Sequence, residues 1–234
     1  MRQIALDTET TGINTSDGHR VIEIGCVEMD NRRITGREYH CYLNPRREID
    51  EGAIRIHGLT LDKLKDKPLF EDIADEFLEF IADSELIIHN ARFDVGFLDN
   101  ELSLIAHKKN SIENHALVLD TLAMARSMHP GKKNSLDALC NRYLIDRTAR
   151  QVHGALIDAD LLAKVYLAMT GGQETLNLGE ISKNQNAKEG PLIADSNLPQ
   201  VLLEANTSEL EAHELFLDKM MTEGNCLWRK NSEN

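Results

Sequence analysis

A chain of 234 residues suits one domain with an appendage, or two small domains. Its 39 acidic and 26 basic side chains leave a net charge of −13, which argues against a freestanding DNA-binding module, because lysine and arginine contacts to phosphate supply most non-specific affinity. Cys26, Cys41, Cys140 and Cys226 show no C-x-x-C spacing and read as reduced cytoplasmic thiols; no apolar run approaches a membrane span, and Asp7 and Glu9 interrupt the first apolar stretch, so no signal peptide is expected.

Arg2–Leu6, Arg20–Glu28 and Arg37–Leu43 are predicted strands, and the loose alternation of Val21, Ile24 and Val27 implies burial on both faces. The segment Thr11–His19 holds Gly12, Asn14, Ser16, Asp17 and Gly18 and reads as a turn or loop. Phe70–Ile81 is an amphipathic helix with Ile73, Phe77 and Phe80 on one stripe. Leu86–Ile88 is a short buried strand. Asp94–Ile105, Leu122–Met128, Ser135–Tyr143 and Ala155–Met169 read as helices, with Ser135 as an N-cap. Strands followed by mixed strands and helices indicate an α/β domain. Gly171-Gly172 ends the last helix, and Gln173–Asn197, without a hydrophobic period, reads as a flexible linker. The tail then recovers a capping-box pattern, Ser208-x-x-Glu211, around Leu210, Leu215, Phe216, Leu217, Met220 and Met221, with Leu227 and Trp228 beyond. That segment is too short to make its own core, so its apolar face needs a partner. The expected organisation is a domain over 1–172, a linker over 173–197 and a short helical tail over 198–234.

Three segments carry chemistry: L-D-T-E-T-T-G at Leu6–Gly12, H-N-A-R-F-D at His89–Asp94 and H-G-A-L-I-D at His153–Asp158. On a strand, Asp7 and Glu9 point the same way. Two like charges side by side repel, and a cation removes the conflict. Asp94 and Asp158 add oxygen donors. A set of four carboxylates without cysteine suits Mg²⁺ or Mn²⁺ and is the frame used for two-metal phosphoryl transfer. His153 and Asp158 are five residues apart, about 140° around a regular helix, so His153 is expected before the helix, with Gly154 supplying a bend.

The ordered motifs D-T-E-T-T-G, I-H-G-L-T, N-A-R-F-D-V-G-F, N-S-L-D-A-L-C and H-G-A-L-I-D-A resemble the DEDD superfamily of 3′→5′ exonucleases, in its catalytic-histidine subtype. More closely they resemble the epsilon-type proofreading subunits of bacterial DNA polymerase III, over Arg2 to about Gly172 and more weakly over the tail. The resemblance implies a ribonuclease-H-like mixed sheet flanked by helices. It implies two Mg²⁺ or Mn²⁺ ions held by Asp7, Glu9, Asp94 and Asp158, with Asp7 bridging both, and His153 as the base that activates water. It implies removal of mispaired nucleotides from the single-stranded 3′ end of DNA as nucleoside 5′-monophosphates. Thr8, Thr10, His57, Leu59 and Asn90 are the candidate substrate contacts. Lys132 and Lys133, after Pro130-Gly131, read as a solvated loop within reach of phosphate. Gln173, Leu176 and Leu178 resemble a sliding-clamp-binding peptide. Leu215, Phe216, Met220 and Trp228 are the candidate contacts to the alpha polymerase subunit, and a small theta-type subunit is a further expected partner. The rivals are an RNA-trimming exonuclease of the same superfamily and a catalytically inert replisome scaffold; linker and tail favour the first reading over the RNA enzyme, and the complete acidic set over the scaffold.

Overall fold

The computed structural model describes residues 2–148, 153–171 and 205–223. The chain divides into two units, Met1–Leu178 and Gly179–Asn234.

In the first unit, β1 (Arg2–Thr10), β2 (Val21–Asp30), β3 (Arg33–Tyr42), β4 (Glu85–Ile88) and β5 (Leu117–Asp120) form one sheet in the order β3-β2-β1-β4-β5. The pairs β1–β2 and β2–β3 are antiparallel, whereas β1–β4 and β4–β5 are parallel. The helices are α1 (Glu51–His57), α2 (Leu61–Leu64), α3 (Phe70–Ile81), α4 (Ala91–Leu104), α5 (Thr121–Met128), α6 (Leu136–Arg142) and α7 (Ala155–Thr170).

The sheet is buried on both faces, which explains why its central strands lack clean alternation. One face sets Ile4, Leu6, Ile24 and Leu86 against Phe70, Ile73 and Phe77 of α3 and Phe97, Leu98 and Leu102 of α4. The other sets Ala5, Val27, Met29 and Ile87 against Leu139 of α6 and Ala159, Leu162 and Val165 of α7. The α3 stripe matches its sequence pattern over the same residues, and Asp72 accepts a hydrogen bond from the Leu69 amide at 2.8 Å to secure its start. Ser135 caps α6 as expected, its hydroxyl accepting from the Ala138 amide at 3.3 Å. Arg20 forks onto the buried Glu101 at 2.7 and 2.5 Å, tying the start of β2 to α4. Removing Arg20 would leave the carboxylate of Glu101 buried without its cation, the unfavourable half of such a pair.

Several expectations change. β1 runs on to Thr10, past the predicted end at Leu6, so Asp7 and Glu9 lie within the strand. β3 begins at Arg33, because Asn31 and Arg32 make a two-residue hairpin turn with φ of 47° and 63°. The usual Asn-Gly signal is absent there, since Arg32 occupies the second turn position. β5 is an edge strand of four residues that sequence periodicity passes over. The segment leading to His57, for which the sequence predicted no element, is the helix α1, closed by Gly58 at φ 70° with its amide bonded to the Ile54 carbonyl at 2.8 Å.

In the second unit, α8 (Thr207–Glu223) starts one residue before the predicted capping box. Its box is formed instead by Asn206 and Glu209: the Glu209 amide donates to Asn206 Oδ1 at 3.0 Å and the Asn206 amide to Glu209 Oε2 at 2.9 Å. Leu210, Leu215, Phe216 and Met221 are exposed, Met220 is half-buried and Leu217 is buried. Gln173, Leu176, Leu178 and Trp228 lie outside the described residues. Among the described residues, no helix is long and apolar enough to cross a membrane.

Candidate active site

Ala5, Asp7 and Glu9 share one face of β1, the face covered by α7. Asp7 stands opposite Gly25 of β2 and Glu9 opposite Glu23, with a register shift directly after Glu9. Such a bulge re-aims side chains at the end of a ladder. Gly25 is bare for a reason. A Cβ there would lie 2.2 Å from the Ala155 carbonyl carbon and the Leu156 nitrogen, so the first turn of α7 rests directly on the β2 backbone. Asp158 sits in that first turn and is 3% exposed.

Asp94 arrives from the opposite face. It lies in the first turn of α4, yet its carboxylate serves β1 as well as its own helix. The pairing of β1 with β4 ends at Leu6 and Ile88, and two residues further the Thr8 amide donates to Asp94 Oδ1 at 3.0 Å. The Thr8 hydroxyl donates to the same oxygen at 2.7 Å. Burial pushes the Asp94 carboxyl up to about 7, against the pull of these Thr8 bonds and of its own amide.

His153 precedes α7, and Gly154, extended at φ −160°, occupies the cap position. The His153 amide donates to the Ile56 carbonyl at 3.2 Å, and the Asp158 amide to the Gly154 carbonyl at 2.9 Å. His153 Nδ1 lies 3.1 Å from Asp158 Oδ2. Glu9, His153 and Asp158 each offer one donor atom within 4.8 Å of the others. Together with Asp7 and Asp94 they line a cleft of about 210 Å³, whose walls also include Thr8, His89, Asn90, Phe93 and Leu136.

The other expected substrate contacts are placed differently. Thr10 is buried and its hydroxyl donates to the Gly12 carbonyl at 2.6 Å. Leu59 packs against a small apolar cluster of Ile22, Ile49 and Leu64. His57 is buried, its Nδ1 accepts the Leu59 amide at 3.0 Å, and burial holds its pKa below the ordinary value. None of these three lines the cleft. Asn90 does, at φ 72°, a left-handed conformation that asparagine tolerates.

Two larger clefts adjoin the first. One, of about 460 Å³, shares Asn90 and Phe93 with it and adds Ile13, Arg92 and Phe97. The other, of about 530 Å³, shares His89, Asn90 and Leu136 and adds Arg126, Lys132 and Asn134. Ile13, Arg92 and Arg126 were not singled out in the sequence; the only signal was an isoleucine directly after D-T-E-T-T-G, an arginine inside H-N-A-R-F-D and another eight residues before N-S-L-D-A-L-C.

The donor set fits hard divalent cations: four carboxylates, three of them buried, one imidazole and no thiolate. Asp7, Glu9, Asp94 and Asp158 could hold them, and the charge would offset the cost that already drives Asp94 towards its neutral form.

The sequence model of the Exonuclease family matches residues 4–166. The chain is 48% identical to the DNA polymerase III subunit epsilon of Salmonella typhimurium over 237 aligned positions, covering 97% of each chain. It is likewise 48% identical to the protein of that name from Escherichia coli, covering 97% of each, and to that from Rickettsia typhi, covering 94% of this chain and 97% of the relative. Among solved structures, the nuclease domain of 3′hExo, a DEDDh family member bound to rAMP, superposes with a TM-score of 0.63 at 16% identity, covering 73% of this chain and 92% of that one. Exonuclease X in complex with 5′ overhanging duplex DNA superposes with a TM-score of 0.56 at 24% identity, covering 73% and 90%. These two likenesses concern the fold.

Proposed function

We infer function from one premise: this chain belongs to the exonuclease family and, within it, to the DNA polymerase III epsilon subunits. It is a metal-dependent 3′→5′ exonuclease that proofreads DNA, removing mispaired 3′-terminal nucleotides. The finer assignments are our own reading. The observation that supports them is the meeting of Glu9, His153 and Asp158 within 4.8 Å in a cleft that Asp7 and Asp94 also line.

Two Mg²⁺ or Mn²⁺ ions held by Asp7, Glu9, Asp94 and Asp158 would supply the positive charge that stabilises the attacked phosphate and the departing 3′ oxygen. His153 is the general base. Asp158 orients its Nδ1, so Nε2 is the nitrogen that takes the proton from the attacking water. Thr8 holds Asp94 in place through two hydrogen bonds, and Asn90 lines the entrance to the terminal nucleotide site. Selectivity for mismatches follows from fraying: a mispaired end melts at lower cost and enters a single-strand site more often.

The domain boundaries proposed are 1–172 for the nuclease, 173–197 for a linker and 198–234 for an attachment segment. The exposed Leu215 and Phe216, with Met220 and Trp228, would dock on the alpha polymerase subunit, and Gln173, Leu176 and Leu178 on a sliding clamp. A theta-type third subunit and a cytoplasmic location complete the reading. Tethering explains how a chain of charge −13 works on DNA: the partner holds the duplex and raises the effective concentration of the end.

The test is release of nucleoside 5′-monophosphates from matched DNA and RNA oligomers with Mg²⁺ and with EDTA. DNA should be trimmed from its 3′ end only with the cation. His153→Ala should lose on the order of 10²–10⁴ in rate with a much smaller loss of metal affinity. Preference for RNA would turn the reading to the trimming enzyme, and a His153→Ala variant at full rate would remove His153 as the base.

A further inference from the structure

The cleft beside α5 and α6 stands out for its charge. Arg126 and Lys132 are both exposed along it, and among the described residues neither makes an ion pair with an acidic side chain. Several other cations of this acidic chain are tied to carboxylates, Arg2 and Arg37 on Glu28, Arg20 on Glu101, Arg147 on Asp137 and Lys164 on Asp160; what marks this cleft is that it brings two exposed cations to the border of the catalytic cleft. The wall that carries Lys132 is also built rather than loose. Arg142 donates to the Lys133 carbonyl at 2.8 Å and to Asn134 Oδ1 at 3.1 Å, and Asn134 Nδ2 donates to the His129 carbonyl at 3.3 Å. Asn134 itself is buried. Arg142 is thus spent on shaping the segment, while Arg126 and Lys132 are left facing the cleft. On the far side His89 closes the junction with the catalytic cleft, its Nδ1 against the Thr121 hydroxyl at 3.0 Å.

We propose that this cleft binds the phosphodiester backbone of the DNA strand leading to the cleavage site, with Arg126 and Lys132 as its phosphate-binding side chains. The inference rests on the exonuclease reading and specifies where its substrate runs. A polyanion that enters the catalytic cleft must leave it through an adjoining one. The cleft with Ile13 and Phe93 carries one exposed cation, Arg92, beside the exposed Ile13 and the half-buried ring of Phe93, and suits a base; the cleft with Arg126 and Lys132 carries two exposed cations and suits backbone. Binding to phosphate positions a strand without reading its sequence, which is what an enzyme that removes any mispaired nucleotide requires.

The experiment compares the full chain with Arg126→Gln/Lys132→Gln, and with Arg33→Gln/Arg37→Gln on the opposite edge strand as a control for the change in charge. Two substrates are used: a single-stranded oligothymidylate, and thymidine 5′-monophosphate p-nitrophenyl ester, which has no strand beyond the scissile phosphate. In the groove variant kcat/KM should fall about tenfold further on the oligomer than on the ester. The slope of log kcat/KM against log salt should flatten by roughly 0.7 for each phosphate of the single strand that no longer meets a cation. The control should follow the wild type. Binding of the oligomer in EDTA, read by fluorescence anisotropy, decides the groove independently of catalysis, and the groove variant should bind less tightly with a flatter salt slope. Equal binding by wild type and groove variant, or equal losses on the two substrates, overturns the proposal. A wild type that binds the oligomer through Arg126 and Lys132 but never cleaves it would overturn the exonuclease reading while leaving the groove in place.

Discussion

At the scale of single residues, Asp94 carries a cost of burial that a bound cation would offset. Its carboxyl is buried and raised to about 7 from an ordinary 3.8. Between about pH 4 and 7 the folded chain therefore keeps a proton that the unfolded chain has released. Stability of the metal-free protein falls as pH rises through that window, and the full cost is present above it. Asp94→Asn removes the ionisable group but keeps an oxygen able to accept from the Thr8 amide and hydroxyl. We expect metal-free Asp94→Asn to melt above the wild type at pH 8, by about 2–4 °C for each kcal/mol relieved, with the gap closing towards pH 4. Adding Mg²⁺ should raise the wild-type midpoint and leave the variant nearly unmoved. Equal midpoints of the metal-free proteins at pH 8 would show that the buried carboxyl carries no such cost.

At the scale of elements, the site depends on how closely α7 approaches the sheet. Only the absence of a side chain at Gly25 lets the Ala155–Leu156 backbone sit where it does, and the same turn carries Asp158 with His153 just before it. Gly25→Ala places a carbon 2.2 Å from backbone atoms that no rotamer change can move aside. The helix must lift. Overpacking of this kind costs about 1–3 kcal/mol, which a domain of this size can survive. Misplacing a catalytic group by about 1 Å can cost on the order of 10² in rate. We expect Gly25→Ala to keep its circular dichroism spectrum, to melt a few degrees lower, and to lose on the order of 10²-fold in exonuclease rate together with divalent affinity. Isothermal titration with Mn²⁺ and a rate measurement on the same sample check this. Normal metal affinity in a folded variant would mean that α7 does not set the site.

At the scale of the whole molecule, the proposed reading puts catalysis and attachment on different stretches of chain. The first unit has an apolar layer on each face of its sheet. α8 instead exposes Leu210, Leu215, Phe216 and Met221, a set of large apolar side chains that awaits a partner. A chain ending at Gly171 should retain single-strand exonuclease activity and fail to co-purify with the polymerase subunit. In the full-length chain, Leu215→Ala/Phe216→Ala should weaken that association by about 2 kcal/mol or more if these residues are interface anchors, without altering the isolated nuclease rate. Undiminished co-purification of the shortened chain would place the attachment surface elsewhere.

What the sequence alone determined is what local chemistry encodes. The stripe of Ile73, Phe77 and Phe80 sets α3, Ser135 sets the start of α6, and the spacing of His153, Gly154 and Asp158 separates a histidine before a helix from an acid inside it. The order of the acidic motifs and their likeness to a family were likewise open to reading. Tertiary structure alone decided which distant groups meet. Asp94 bonds Thr8 across 86 positions of chain, and neither residue carries a local mark of the other. β5 is too short for its periodicity to speak, and it is a strand because β4 offers a free edge. His57, Leu59 and Thr10 belong to motifs by sequence, yet Leu59 packs into an apolar cluster, the Thr10 hydroxyl is bonded to the Gly12 carbonyl and His57 holds the Leu59 amide through Nδ1. The physical reason is common to all of these. Periodicity and capping act over a few residues, whereas a cleft is lined by whatever the sheet order and the close approach of α7 bring together.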